Sequence, residues 1–108
     1  MEESTYTIFT YFDEDLGMEF ELPYFDNVRG DDLRFKYKHQ IHRAIYEAII
    51  FLDTSPNYKT APCFSVNDII FELDHMSLPE KLESTLAYFI EIEEFEICAK
   101  LIIIQKRL

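Results

Sequence analysis

The stretch SVNDIIFELDHM, Ser65–Met76, decides how this chain folds, because it reads in two ways. Val66, Ile69, Ile70, Leu73 and Met76 follow the i, i+3, i+4, i+7 spacing of an amphipathic helix. Ser65 with Asp68 resembles a capping box at its start. Ile69, Ile70 and Phe71, however, are β-branched or aromatic and suit a strand. The periodicity favours a short helix over 65–76, with a strand as the alternative.

Immediately after it the signals are clearer. Ser77 stands as an N-cap, Pro79 fits the first turn, and Glu80 lies three residues beyond the serine. The spacing of Leu82, Leu86, Phe89 and Ile90 predicts a helix over about 78–91. Glu91-Ile92-Glu93-Glu94 then reads as a tight turn into a last helix, whose dipole favours acids at its start and Lys100, Lys106 and Arg107 toward its end. That last helix carries two apolar stripes. One is Phe95, Cys98, Ala99 and Ile102; the other is Ile97, Leu101, Ile104 and Leu108. A helix with two such stripes needs cover on both sides. Either the domain supplies both covers, or one stripe faces a partner.

The segment Leu82–Leu108 resembles the UVR motif, an αα-hairpin of excinuclease subunits B and C and of some kinase-activator adaptors. Leu82, Leu86, Phe95, Glu96, Ala99, Lys100, Leu101 and Leu108 stand in the matching places. Where the motif usually has Arg-Asp, this chain has Ile102-Ile103, and Cys98 replaces a usual alanine. The resemblance covers about a quarter of the chain. It implies a helical hairpin that pairs with another helix or with itself. It does not imply DNA repair.

On the N-terminal side, DTSPNYKTAP (53–62) reads as a loop, with Pro56 and Pro62. Before it, Leu33, Tyr37, Ile41, Ile45, Ala48, Ile49 and Leu52 keep helical spacing. They predict a long buried helix over 31–53, capped by Asp31 or Asp32. TYTIFTYF and the alternating MEFEL predict an antiparallel hairpin over 5–24, about 5–12 with 18–24, turning at Gly17. Met18, Phe20 and Leu22 share one face, and Glu19 and Glu21 the other. Pro23 weakens continuation of the second strand. The expected fold is one α+β domain: an N-terminal antiparallel β-hairpin packed on a small helical bundle that ends in an αα-hairpin over 78–108.

The composition limits what such a domain can do. A net charge of −11 disfavours direct binding to nucleic-acid phosphates. No 18-residue apolar run exists, so no membrane partner is expected. The acidic start lacks the basic opening of a secretory signal. A cytoplasmic protein is therefore expected, with Cys63 and Cys98 as free thiols. The charge is uneven. Residues 1–28 hold eight acids and no base, whereas residues 29–43 hold Arg29, Arg34, Lys36, Lys38 and Arg43 against two acids. That basic and aromatic stretch, with His39 and His42, is read as neutralising the acidic hairpin within the domain.

No catalytic constellation is present. There is no Ser/His/Asp order, nucleophile elbow, CxxC or phosphate-binding glycine loop. His39 and His42 are spaced to share a metal, but nothing in their neighbourhood completes a site. Asp13-Glu14-Asp15 shares only the opening of a calcium loop and reads as a plain turn. The chain is thus read as a non-enzyme without a cofactor or metal.

The leading expectation is a non-catalytic protein–protein interaction module or small adaptor. Its C-terminal hairpin would meet a protein partner, or a second copy in a homodimer, through Phe95, Cys98, Ile102 and Ile104. Glu91, Glu93 and Glu94 would set polarity. The first alternative is an inhibitor of phage or mobile-element type that mimics nucleic-acid charge through Asp13, Glu14, Asp15, Glu19, Glu21 and Asp26. A second alternative is a structural subunit of a larger assembly, such as a virion.

Overall fold

The computed structural model describes residues 5–108. Glu2 and Glu3 of the acidic N-terminal segment lie outside the described residues. Strands β1 (Thr5–Asp13) and β2 (Met18–Asp26) form the expected hairpin. Its turn uses Gly17 at a φ of 67°, whose N–H donates to the Asp13 carbonyl at 2.8 Å. The Asp13 carboxylate accepts from the N–H groups of Asp15 and Leu16 at 3.0 and 3.1 Å. Pro23 does not end β2; it sits within the strand, opposite Ile8.

The single helix expected over 31–53 is divided. A short π-helical turn at Asp32–Lys36 precedes α1 (Lys38–Thr54). Tyr37 stands between them outside helical geometry, with φ −110° and ψ 20°. Its buried ring packs on Phe25 at 5.1 Å and Tyr6 at 5.9 Å, and that packing sets the local backbone. Neither aspartate caps this helix through its side chain as expected. The Asp32 carboxylate instead accepts from the Arg29 N–H at 3.0 Å.

Over residues 65–76 the helical reading gives way to the strand. β3 (Thr60–Val66) and β4 (Ile69–Asp74) pair antiparallel, with Val66 opposite Ile69. Asn67 and Asp68 between them have φ of 47° and 72°. Two successive left-handed residues make the tight turn that matches strand twist, and Asn and Asp tolerate that conformation. The two residues of the expected capping box, Ser65 and Asp68, are therefore a strand residue and a turn residue. β3 at one end and the last residues of α1 at the other shorten the expected loop to residues 55–59.

The four strands form one sheet in the order β1-β2-β3-β4. β2 and β3 run parallel, joined by the crossover through α1. α2 (Leu78–Glu91) and α3 (Phe95–Lys106) then form the αα-hairpin. Asp74, rather than Ser77, serves the start of α2: its Oδ1 accepts from the Ser77 N–H at 2.8 Å. The main core gathers Ile49 and Leu52 of α1, Ala61 and Cys63 of β3, Leu82 and Phe89 of α2, and Leu101 and Ile104 of α3. A second cluster of Phe25, Val28 and Tyr37 closes the other end. The fold is α+β, and among the described residues no helix is long and apolar enough to cross a membrane.

Candidate functional site

The end of α2 places α3. The Glu94 N–H donates to the Phe89 carbonyl at 3.0 Å and the Glu93 N–H to that of Ile90 at 3.1 Å. This is the paired bonding of a Schellman helix end, with Glu93 at a φ of 62° in the left-handed position. The chain reverses there, and α3 returns along α2. At the far end the Arg107 guanidinium meets Asp53 of α1 at 2.9 Å. Between these two points α3 turns Ile97, Leu101 and Ile104 into the core.

That orientation separates the two apolar stripes. Ile97, Leu101 and Ile104 are buried, with Leu101 at 0% exposure, and Cys98 joins them. Leu108, the last of that stripe, is exposed. On the opposite side Phe95 is 65% exposed, Ile103 59% and Ile102 37%, with Ala99 exposed between them. Residues 95, 99, 102, 103 and 106 lie on one helical face. Thus Phe95 and Ile102 of the expected contact set are accessible, as are Glu91, Glu93 and Glu94 at one end. Cys98 and Ile104 belong to the domain's own core and have no surface to offer. Ile103, not among the expected contacts, is exposed on the same face as Phe95 and Ile102. The sequence signal for Ile103 is its position two turns beyond Phe95, opposite Leu101.

The charges of this face are polar along its length. Glu93, Glu94 and Glu96 lie at its start and Lys100 and Lys106 toward its end, all exposed. Ile90 and Ile92, also exposed, extend the apolar surface onto the turn.

The acidic hairpin is less uniform than its sequence. Asp13 is buried and engaged in the turn, whereas Glu14, Asp15, Glu19, Glu21 and Asp26 are exposed. Ile8, Phe12 and Met18 are exposed on the same arm.

Two members of the basic stretch, Lys38 and Arg43, meet groups outside the acidic hairpin. Arg43 pairs with Glu47 of its own helix at 3.2 Å and lies over the Tyr46 ring, and Lys38 lies over Tyr88 of α2. His39 and His42 are also spent on α2. The His39 Nδ1 is 2.9 Å from the Tyr88 hydroxyl, and the His42 Nδ1 is 3.0 Å from the hydroxyl of fully buried Thr85. The His42 ring stacks on Tyr88 at 4.4 Å. Burial, then the nearby Lys38 and His39, holds its pKa below the usual histidine value. His75 lies apart, against the Tyr58 carbonyl at 2.9 Å. Among the described residues no group of three His, Cys, Asp or Glu side chains is placed to hold a metal ion.

Compared with known protein families, curated proteins and solved structures, the chain matches none.

Proposed function

We propose that this chain is a non-catalytic protein–protein interaction module that docks a partner helix along the outer face of α3. The observation that carries this reading is the exposed row of Phe95, Ala99, Ile102 and Ile103 on a helix whose opposite face already fills the core. Contiguous apolar surface of this kind marks interaction sites. A second copy fits the row when packed antiparallel. Ala99, near its middle, allows close approach, and the acidic start of each helix meets Lys106 of the other. The resemblance of Leu82–Leu108 to the UVR motif supports the same kind of pairing. Ile102-Ile103, in place of the motif's charged pair, makes the contact more apolar.

Phe95→Asp tests the reading directly, because the side chain is exposed and the substitution leaves the core intact. Sedimentation velocity should show association of the native chain and its loss in Phe95→Asp. Lys59→Ala, outside the exposed row, should associate as the native chain does. Association that survives Phe95→Asp, with an unchanged circular dichroism spectrum, overturns the assignment.

The charge-mimic reading draws on the exposed acids of the hairpin arm. Ile8 and Phe12 interrupt them, which suits a phosphate-binding channel poorly. Salt separates the two readings. A complex held by hairpin carboxylates weakens steeply as salt screens it, whereas docking on α3 persists.

A further inference from the structure

Strand β1 is one edge of the sheet, and among the described residues it pairs only with β2. Which of its backbone groups lie free follows from one hydrogen bond. The Phe25 carbonyl accepts from the Asn67 N–H at 2.9 Å, so the backbone groups of Phe25 face β3, away from β1. Tyr6 stands opposite Phe25, so the N–H and C=O of Tyr6 face away from β2. Alternation turns those of Ile8, Thr10 and Phe12 to the same outer edge. The Asp13 carbonyl accepts from Gly17 across the turn, and so faces the other way, as this alternation requires.

Edge strands are normally blunted by a charge, a proline, a bulge or shortness, which stops another strand from adding. β4, the other edge, is short and carries Glu72 and Asp74. Between Thr5 and Phe12, β1 has no charge and no proline, and its register with β2 runs unbroken. The side chains of Tyr6, Ile8, Thr10 and Phe12 share one face of the sheet and are exposed. On that face Glu21 stands opposite Thr10, and Glu19 opposite Phe12. Both acids are exposed, and among the described residues neither joins a salt bridge. Thr10 is the smallest of the outer row, so a long side chain on an added strand can cross it toward Glu21. The span is two strand spacings, about 10 Å. A lysine lays its stem along such a surface and keeps its ammonium in water.

We propose that β1 accepts an antiparallel strand from a basic partner protein, with a lysine opposite Thr10 and apolar residues opposite Ile8 and Phe12. The free backbone groups supply the affinity and the alternate side chains the specificity. A second copy fits this edge poorly. Its β1 has no base to offer Glu21, and it brings Glu14 and Asp15 of its own acidic turn. The inference does not rest on the α3 face.

The probe is acetyl-Thr-Val-Thr-Lys-Thr-Val-Thr-amide, whose pattern reads alike in both directions. Added to the full chain and followed by amide NMR, it should give saturable shifts at Tyr6, Ile8, Thr10 and Phe12. The same peptide N-methylated at its valines and lysine has no donors for this edge and should not bind. Glutamate in place of the lysine should weaken binding about fivefold, the scale of an exposed ion pair. Glu21→Gln should shrink that difference. Phe95→Asp should bind the peptide as the native chain does, so this test and that of the α3 face are read separately. Absence of saturable shifts, shifts that survive N-methylation, or shifts confined to α3 or β4 overturn the strand addition. Equal binding of the lysine and glutamate peptides overturns the choice of a basic partner. Changes at these amides with protein concentration alone would give the edge to a second copy and overturn it too.

Discussion

His42 shows how a single side chain becomes a pH-dependent strut. Its ring lies on Tyr88 and its Nδ1 meets Thr85, so α1 and α2 are held together partly through its neutral form. Its pKa is lowered from the ordinary 6.5 by burial and by Lys38 and His39. The unfolded chain therefore takes up a proton more readily than the folded one. This contribution is fully present above about pH 6.5 and is lost as pH falls below that value toward the folded-state pKa. Urea midpoints should fall across that window, and His42→Phe should flatten the dependence. An unchanged slope in the variant would assign the effect to another group. Cys63 is a quieter case. Burial pushes its thiol up to about 12, so it is a packing residue rather than a nucleophile.

At the level of elements, turns carry the least obvious information. Glu93 occupies the left-handed position of the α2 end, where glycine is preferred. Glu93→Gly should raise stability by about 1 kcal/mol, because a side chain there costs about that much. Thermal unfolding would show it, and a lower Tm would mean that the Glu93 side chain contributes more than its backbone costs. The extent of α2, about 78–91, was legible because Pro79, Glu80 and the helical spacing of Leu82, Leu86 and Phe89 agree locally. Residues 65–76 were not, because Val66, Ile69, Ile70 and Leu73 fit a helix and a strand equally well. The deciding signal was Asn67-Asp68, two residues that both accept positive φ.

For the whole molecule, charge opposes compactness. The chain carries −11, and among the described residues the salt bridges are Arg43–Glu47 and Arg107–Asp53, both partly exposed. Such pairs contribute little, whereas self-repulsion acts over the entire surface. Adding salt should therefore raise Tm, as screening weakens the repulsion. A fall would mean that surface pairs outweigh the net charge.

The sequence by itself determined the β1–β2 hairpin, the αα-hairpin and the acidic surface, because turn residues, caps and periodicity act over a few neighbouring positions. It also showed that α3 has two apolar stripes. Only the tertiary structure decided which one is buried. With α3 returning from the α2 end, Ile97, Leu101 and Ile104 pack into the core, which leaves Phe95 and Ile103 outside. Pro23 was visible as a weak point in a strand, but only the tertiary structure shows where β2 meets β3, at Tyr24–Ser65 and Phe25–Val66.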